Sequence, residues 1–371
     1  MKLKIALLPG DGIGPEVTQQ AVKILNAVAE KYKHTFEYTK AAIGAIAIDE
    51  TGNPLPEETL QICKDADAIL FGAIGDPKYD NIPTVTIRPE QGLLQLRKKL
   101  DLFAHIFPLT TYEALIHKSH LKVEVIKGVD FIIYRELTGG IYFGDKVLSE
   151  DGKTASDTCT YTVEEIDRIA HLAFSAAKLR RKKLTLVDKA HVLETSRLWR
   201  KRVSEISKSY PSVNLNYMLA DNAAMQLILN PKQFDVILTE NMFGDILSDE
   251  ASVISGSIGL LASASIGEKA ALFEPIHGSY PVAKGKNFAN PLAAILSAAM
   301  LLDHFKLYEE AEDIRAAVEK SLELNISTPD LNATNHFSTT NVGNFLRDFI
   351  LDDENTFYNK NNIDLGQSTI I

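Results

Sequence analysis

The chain has 371 residues, of which 45% are hydrophobic and 24% charged, and its formal net charge is -10. This length suggests about two domains of an ordinary globular protein, and the negative charge argues against nucleic acid or an anionic membrane as the main partner. The two cysteines do not form a disulfide framework, and no targeting segment or membrane-spanning run is visible. We therefore expect a cytoplasmic protein.

The first part of the chain alternates apolar runs with helical patterns. Residues 3–8 predict a buried strand that leads into a turn with glycines at positions 10, 12 and 14. This G-x-G-x-G spacing differs from the G-x-G-x-x-G of dinucleotide-binding turns, so it predicts only a tight turn with close backbone approach. Further strands at 36–41 and 68–74, with helices between them, indicate a parallel sheet and an α/β fold.

A helix is expected at 88–97. Glu90, Leu93, Leu94 and Arg97 have the spacing of one helix face. A face with two leucines between an acid and a base could line a pocket for a half-apolar, anionic ligand.

The middle of the chain contains further strand and helix signals. The stretch 130–136 is a predicted strand, and Asp151-Gly152 predicts a hairpin within an arm at 145–160, which needs a partner such as another subunit. Thr162 and Glu165 have the spacing of a capping box. Strands are then expected at 184–187 and 214–219, with a helix opened by residues 188–191 and another that contains Asp221.

The stretch 239–250 carries the strongest chemical signal. It follows an apolar run, and Gly244 is expected to supply a turn before a helix. Asp245 and Asp249 then lie four residues apart on one helix face. One interpretation is an N-cap aspartate with acidic residues that complement the helix dipole. The other is a site for Mg²⁺ or Mn²⁺, because the donors are all oxygens.

The remainder is read as a glycine- and serine-rich crossover at 256–267, followed by helices near 290–304, 307–323 and 340–351.

Several motifs along the chain occur in a fixed order. They are Leu8-Pro-Gly-Asp-Gly-Ile-Gly-Pro-Glu16, Arg88-Pro-Glu90, Arg135-Glu-Leu-Thr-Gly-Gly-Ile-Tyr142, Asp188-Lys-Ala190, Asp221, Gly244-Asp-Ile-Leu-Ser-Asp249 and His277-Gly-Ser279. In this order they resemble the isopropylmalate dehydrogenases of the β-decarboxylating dehydrogenase superfamily, which also holds isocitrate, homoisocitrate and tartrate dehydrogenases. The resemblance covers about residues 1–350.

The resemblance implies an isopropylmalate dehydrogenase-like two-domain fold with a shared mixed sheet, and not a Rossmann fold. The cofactor-side domain is expected to be discontinuous, at 1–103 plus 256–351. The dimerisation and metal/substrate domain is expected at 104–255, with the hairpin arm near 145–160. Residues 352–371 should form a flexible tail. The expected partner is a second copy of the chain, in a homodimer with shared active sites.

The resemblance also implies a role for individual residues. Asp245 and Asp249, with Asp221 from the other subunit, match the metal ligands, which favours the cation interpretation of that helix. Lys189 from the other subunit matches the base that assists removal of the hydroxyl proton. Tyr142 matches the acid that protonates the enol.

Substrate and cofactor residues follow in the same way. The implied substrate-binding residues are Arg97, Arg135, Asp221, Glu90, Leu93, Leu94 and, from the other subunit, Val192. The implied NAD-binding residues are Asp76, Glu90, His277, Gly278, Ser279, Val282, Ala283 and Asn290. The implied reaction is NAD-dependent oxidation and decarboxylation of (2R,3S)-3-isopropylmalate to 4-methyl-2-oxopentanoate and CO₂, in leucine biosynthesis.

Three positions depart from the family pattern. Phe107 stands where family members have a second arginine, His191 replaces an asparagine, and Val282 replaces the aspartate that selects NAD. Two alternatives therefore stay open: a sister dehydrogenase of the 3-methylmalate, tartrate or homoisocitrate type, or a catalytically impaired paralogue.

Overall fold

A computed structural model describes residues 1–79 and 87–352 of the chain. The strands are β1 (Lys2–Gly10), β2 (Thr35–Lys40), β3 (Ala68–Ala73), β4 (Ala104–Thr110), β5 (Asp130–Glu136), β6 (Lys146–Leu148), β7 (Ala155–Asp157), β8 (Lys183–Asp188), β9 (Asn214–Leu219), β10 (Val236–Thr239), β11 (Ala262–Ile266) and β12 (Ala271–Pro275). The helices are α1 (Gly14–Tyr32), α2 (Ala45–Thr51), α3 (Glu57–Asp65), α4 (Glu90–Lys99), α5 (Val123–Ile126), α6 (Val163–Leu179), α7 (Glu194–Ser207), α8 (Ala220–Leu229), α9 (Asn241–Ser252), α10 (Leu292–His304), α11 (Tyr308–Glu323) and α12 (Thr339–Leu351).

These elements fall into two compact units. The first comprises Met1–Leu96, Ser257–Ala262 and Ala271–Ile371, and the second comprises Arg97–Gly256 and Ser263–Ala270. The domain boundaries implied by the resemblance, near 103 and 256, stay predictions. The expected flexible tail lies, apart from Asp352, outside the described residues.

In the first unit, β2, β1, β3 and β12 lie side by side in that order and run parallel. All six residues of β3 are buried, which is typical of a parallel strand with both faces covered. Helix α10 is buried along most of its length because α1, α11 and β12 pack against it. The parallel order and the α/β class expected from the sequence are confirmed.

The turn after β1 shows why glycine is needed there. Gly10 has a φ of +67°, and a Cβ atom on it would lie 1.9 Å from the carbonyl oxygen of Ala73. A Cβ atom on Gly12 would lie 1.9 Å from the carbonyl oxygen of Ser279. The predicted close backbone approach is therefore confirmed.

Asp11, between these glycines, links the ends of three elements. Its carboxylate accepts hydrogen bonds from the backbone N–H groups of Ala45, Ile46 and Gly75, at 2.9 to 3.0 Å. Burial raises the pKa of this carboxyl, and the three N–H donors act in the opposite direction. Asp11 thus fixes the carboxyl ends of β1 and β3 against the start of α2.

In the second unit the strand order is β11-β4-β5-β10-β8-β9. β4 runs antiparallel to β5 and β11, whereas β5, β10, β8 and β9 are mutually parallel, so the sheet is mixed. One face packs against α6 and α7 around an apolar cluster that includes Phe174 and Trp199. The capping box of Thr162 and Glu165 at the start of α6 is present as predicted.

Ion pairs tie together the amino ends of the parallel strands in this unit. Asp235, just before β10, is 1% exposed and lies 2.9 Å from Arg180. Arg180 and Arg181 both pair with Asp130 at the start of β5, at 2.7 and 3.2 Å. We call these four residues the amino-edge ion cluster. Because its buried carboxylate is paired, removal of one partner would leave a buried charge uncompensated.

The predicted hairpin arm is present as β6 and β7, which pair antiparallel. Every residue of both strands is exposed, including Val147 and Leu148. An isolated two-stranded hairpin is marginally stable in water, which agrees with the expectation that the arm has a partner.

Three local predictions were wrong. The stretch 256–267 is not only a crossover, because it contains β11, which is stabilised by pairing with β4. Helix α7 begins at Glu194 and not at Asp188, which is the last residue of β8. Gly244 lies inside α9 and makes no turn, because Glu240 already caps this helix by accepting the N–H of Phe243 at 3.0 Å.

No helix within residues 1–79 and 87–352 combines the length and the apolar character needed to cross a bilayer.

Candidate active site

Helix α9 presents the two aspartates from the second unit. Because its N-cap is Glu240, Asp245 lies inside the helix and the N-cap interpretation of Asp245 was wrong. Gly244 lies against Arg135, since a Cβ atom there would be 2.6 Å from the Arg135 Cγ atom. The missing side chain lets the arginine lie flat along the helix, between the sheet and the carboxylates.

Arg135 lies near the carboxyl end of β5 and is 9% exposed. Its Nε and Nη2 atoms donate to Oδ1 of Asn241 at 3.0 and 2.7 Å, and Nη1 donates to Oδ1 of Asp245. Burial lowers the pKa of Arg135, while the charge of Asp245 acts to raise it. Two of its three nitrogens are thus held by a neutral amide, and the third points to the carboxylate.

Tyr142 completes this group. Its hydroxyl donates to Oδ2 of Asp245 at 2.8 Å, and its ring is 40% exposed. Burial of the hydroxyl and the carboxylate of Asp245 raise the pKa of Tyr142 to about 12. Tyr142 therefore holds its proton at neutral pH.

Asp249 adds a second carboxylate on the same helix face. Burial and the charge of Asp245 both raise its pKa, and Arg135 lowers it. The effect of Asp245 on this pKa shows that the two carboxylates repel each other across the helix face. This electrostatic setting, with oxygen donors only, fits a hard divalent cation.

A second group of predicted residues follows the neighbouring strands β8 and β9. Lys189, directly after β8, donates from Nζ to Oδ1 of Asp221 at 2.6 Å, and this contact lowers the pKa of Asp221. Val192 in the same loop is 58% exposed. Asp188 fixes the start of the loop, because it is buried and accepts two hydrogen bonds from Arg200 at 2.7 and 2.9 Å. Of the residues that the resemblance assigns to the other subunit, Lys189 and Val192 thus lie in the loop after β8, and Asp221 lies in the first turn of α8.

The structure does not combine Asp221, Asp245 and Asp249 within one chain. Among residues 1–79 and 87–352, no three His, Cys, Asp or Glu side chains are close enough together to hold a metal ion. The resemblance assigns Asp221 to a second copy of the chain, and this assignment stays a prediction.

The first unit brings some predicted cofactor residues together. The carboxylate of Glu90 and the hydroxyl of Ser279 both border Gly75, where an added Cβ atom would lie 2.9 and 3.6 Å from them. The N–H of Ile13 donates to the carbonyl oxygen of Ser279 at 2.7 Å. The glycine turn after β1 therefore lies directly against the predicted cofactor loop after β12.

His277 begins this loop. Its Nδ1 atom lies 3.0 Å from the carbonyl oxygen of Gly278, and burial lowers the pKa of the ring. Its Nε2 atom is buried and has no hydrogen-bond partner among the atoms of the described residues. Val282 is largely exposed and Ala283 is buried in the short turn that follows.

Asn290, the last predicted cofactor residue, is occupied by contacts within the first unit. Its Nδ2 atom donates to Asp330 at 3.0 Å, and its Oδ1 atom accepts the N–H of Leu292 at the start of α10. Asp330 also accepts hydrogen bonds from Ser257 and Thr328. The side chain of Asn290 therefore positions the surrounding loops, a role that sequence reasoning missed.

Asp76 lines a cavity of about 500 Å³ at the carboxyl ends of β1 and β2. Asp11, Lys40, Lys78 and Lys284 are also in its wall. Both signs of charge are present, and Lys78 is already paired with Asp49.

Helix α4 carries the predicted substrate face. Leu94 is 47% exposed and Leu93 half-buried, whereas Gly92 and Leu96 are buried. The leucines that should contact substrate therefore point away from the apolar contacts of this helix. Arg97, near its end, is half-buried.

Two further side chains were missed as neighbours of Arg135. His105 lies opposite Arg135 in the ladder between β4 and β5 and is 8% exposed. Phe107 faces Ile133 in the same ladder and is fully buried. At the position where the resemblance implies an arginine, this chain thus has a fully buried aromatic ring.

We expect His105 to make stability depend on pH. Burial, with the charges of Arg97 and Arg135, lowers its pKa well below the ordinary 6.5. In the unfolded chain His105 binds a proton as pH falls through about 6.5, whereas in the folded protein it does not. The free energy of unfolding therefore decreases below that pH, by at most ~1.4 kcal/mol per pH unit.

His105→Asn removes this titration. The stability difference between variant and wild type should shift in favour of the variant as pH falls from about 7 to about 5, measured by denaturant unfolding at each pH. The same substitution at exposed His120 serves as the control. A difference that does not change with pH would contradict the prediction.

Comparison with known proteins identifies the chain's relatives. The family model "Isocitrate/isopropylmalate dehydrogenase" matches residues 4–346. The chain belongs to this family. Among curated members, it is 55% identical to a 3-isopropylmalate dehydrogenase of Bacteroides fragilis, over 94% of this chain and 99% of that relative. It is 54% identical to a 3-isopropylmalate dehydrogenase of Bacillus subtilis, over 92% of this chain and 94% of that relative.

Solved structures of the family agree. The crystal structure of an isocitrate dehydrogenase from Methylococcus capsulatus matches with a TM-score of 0.83 and 33% identity, over 94% of this chain and all of that chain. A β-decarboxylating dehydrogenase from Thermococcus kodakarensis matches with a TM-score of 0.77 and 36% identity, over 94% of this chain and 96% of that chain. The isopropylmalate dehydrogenase-like fold expected from the sequence is confirmed.

Proposed function

We propose that the protein is an NAD-dependent 3-isopropylmalate dehydrogenase, which oxidises and decarboxylates (2R,3S)-3-isopropylmalate to 4-methyl-2-oxopentanoate and CO₂ in leucine biosynthesis. The observation that carries this proposal is 55% identity to a 3-isopropylmalate dehydrogenase along 94% of the chain. The contacts of an arginine and a tyrosine with the carboxylate of Asp245 also support the proposal.

The proposed cation is Mg²⁺ or Mn²⁺. Asp245 and Asp249 would hold it together with Asp221 from a second copy of the chain. When bound, the cation would act as a Lewis acid on the substrate's hydroxyl and keto oxygen.

The proposed cofactor is NAD, which when bound would supply the acceptor for the hydride from C2 of the substrate. The residues that would hold it are Asp76, Glu90, His277, Gly278, Ser279, Val282, Ala283 and Asn290. The buried Nε2 atom of His277 supports this assignment, because an unpaired buried nitrogen needs a hydrogen-bond partner such as a ligand. The exposed Val282 can neither accept a hydrogen bond from the ribose nor bind a phosphate, so NAD is expected to be held with less selectivity.

The chain's own side chains then have separate tasks. Arg135, with Arg97, binds the substrate's carboxylates, for which a planar guanidinium is suited. Lys189 of a second copy removes the proton of the C2 hydroxyl. Tyr142, which keeps its proton at neutral pH, donates that proton to carbon after CO₂ has left.

Specificity is assigned to apolar side chains. Leu93 and Leu94, with Val192 of a second copy, would contact the isopropyl group and reject a third carboxylate. A hydrophobic wall separates substrates by only ~1–3 kcal/mol per methylene, so smaller 2-hydroxy diacids are expected as weak side substrates.

The proposed assembly is a homodimer with shared active sites. The proposed location is the cytoplasm, and no nucleic acid partner is proposed. The homodimer is supported by exposed apolar residues on the two helices that follow β9 and β10. Met225 and Leu229 on α8 and Ile246 on α9 are 54%, 66% and 59% exposed, respectively. The exposed arm of β6 and β7 is a further surface for the second copy.

A sister β-decarboxylating dehydrogenase is the second candidate. The buried Phe107 favours it, because the chain lacks a charged group that other members use for a substrate carboxylate.

One assay separates the candidates. NAD reduction is measured with 3-isopropylmalate, malate, isocitrate and tartrate, with Mg²⁺ and again with a chelator. We expect the highest kcat/KM with 3-isopropylmalate, loss of turnover in chelator and recovery with Mg²⁺ or Mn²⁺. A higher kcat/KM with another diacid would replace this proposal with the sister activity, and turnover in excess chelator would remove the cation from it.

A further inference from the structure

Tyr161 lies beneath the candidate active site, and no role for it follows from the family motifs quoted above. It is 6% exposed, and its hydroxyl donates to Oε2 of Glu240 at 3.0 Å while accepting the backbone N–H of Asn241 at 2.9 Å. Its ring packs edge-on against the buried Trp199, with the centroids 5.4 Å apart. The hydroxyl therefore has a fixed position at the start of α9.

Asn241 connects Tyr161 to Arg135. Asn241 is 1% exposed, and Oδ1 of its amide accepts both Nε and Nη2 of the arginine. Its Nδ2 atom donates to the carbonyl oxygen of Gly139 at 3.3 Å, which fixes the orientation of the amide. Tyr161 and Arg135 therefore contact the same residue, the first through the backbone N–H of Asn241 and the second through its side-chain oxygen.

The ring of Tyr161 also supports the turn that leads to Tyr142. A Cβ atom on Gly139 would lie 2.7 Å from the ring, and one on Gly140 would lie 2.3 Å from the hydroxyl oxygen. The N–H of Gly140 donates to the carbonyl oxygen of Thr160, next to Tyr161. The backbone at Gly139 and Gly140 therefore packs directly against the ring of Tyr161, just before Tyr142 in the chain.

We propose that Tyr161 is a positioning residue, which through Asn241 and the Gly139–Gly140 turn holds Arg135 and Tyr142 in register with Asp245. It does not touch the reacting atoms, and its effect on them passes through these neighbours. The proposal rests on the proposed function, since Arg135 and Tyr142 are the groups assigned to substrate binding and proton donation.

The test is Tyr161→Phe, which keeps the ring and removes only the hydroxyl. We expect kcat/KM for 3-isopropylmalate to fall roughly tenfold to hundredfold, since a buried carboxylate and a helix N–H both lose a partner. The KM for NAD should change by less than about twofold, because the residues next to the hydroxyl, at the start of α9 and at Gly140, are not among the proposed NAD-binding residues. The dissociation constant of 3-isopropylmalate, measured by calorimetry, should be higher for the variant than for wild type.

Tyr134→Phe is the matched control. Tyr134 is 7% exposed and belongs to the same apolar cluster as Tyr161, but no hydrogen bond of its hydroxyl to another described residue is observed. This variant should keep kcat/KM within about twofold. If Tyr161→Phe lowers kcat/KM no more than Tyr134→Phe does, or changes the KM for NAD equally, its role is only structural and the proposal is wrong.

A double-mutant cycle tests the path through Asn241. Asn241→Ala should show the same split between substrate and NAD, so the proposal stays testable if Tyr161→Phe does not fold. The loss in the double variant should be clearly smaller than the product of the single losses, because both act on one contact. Losses that multiply would overturn the proposed path. Failure of wild type to oxidise 3-isopropylmalate would instead refute the proposed function, independently of these ratios.

Discussion

Asp245→Asn is expected to lower turnover of 3-isopropylmalate by on the order of a thousandfold, the largest effect of any single substitution considered. The carboxylate accepts hydrogen bonds from Arg135 and Tyr142 through separate oxygens and is also a proposed cation ligand. Asparagine has the same shape, but it is neutral and offers only one acceptor oxygen.

Asp303→Asn is the control for this loss. Asp303 also pairs with an arginine, Arg315, and its side chain is 33% exposed compared with 42% for Asp245. We expect near-normal kcat for the control, whereas Asp245→Asn should also need a higher Mg²⁺ concentration for its remaining turnover. Equal losses in the two variants would mean that the ion pair matters for folding and not for the reaction.

Mixing two inactive variants should restore activity. In the proposed homodimer, each site combines Asp245 of one chain with Lys189 of the other. The variants Lys189→Ala and Asp245→Asn therefore affect different chains' contributions to a site. If equal amounts of the two variants exchange chains freely, half of the dimers are mixed. Each mixed dimer has one site without a lesion, so about a quarter of wild-type activity is expected. Steady-state rates are measured before and after exchange, which is verified with tagged chains.

The control mixes Asp245→Asn with Tyr142→Phe. Both residues belong to one chain's half, as shown by the hydrogen bond between them, so every site in every mixed dimer retains a lesion. No recovery is expected there. If exchange is verified and Lys189→Ala with Asp245→Asn stays inactive, each copy holds a complete site.

Elements with local signals were predicted well from the sequence. Helices α10, α11 and α12 have strong apolar patterns, and the capping box of α6 is specified by Thr162 and Glu165 alone. The arm was predicted because Asp151-Gly152 favours a tight hairpin turn. The strand β11 was missed because Ala262 and its neighbours are small and lack strand propensity, and its structure depends on pairing with β4.

The candidate site shows the same division between local and distant information. Asp245 and Asp249 were found because four residues along a helix return to the same face. The support for Arg135 was missed, because Asn241 is 106 residues from Arg135 in sequence and 80 residues from Tyr161. Asp330 was missed for the same reason, since 40 residues separate it from Asn290. Such contacts exist only after the strands have paired.

The amino-edge ion cluster has a consequence for directed evolution of this enzyme. Arg135, Lys189 and Asp221 lie at or just after the carboxyl ends of their strands, whereas Asp130 and Asp235 lie at the amino ends. A library that randomises only the carboxyl-end positions therefore leaves these ion pairs intact. Variants selected for a new diacid should therefore retain the parent's free energy of unfolding. Selection then distinguishes variants by their activity toward the new substrate and not by their stability.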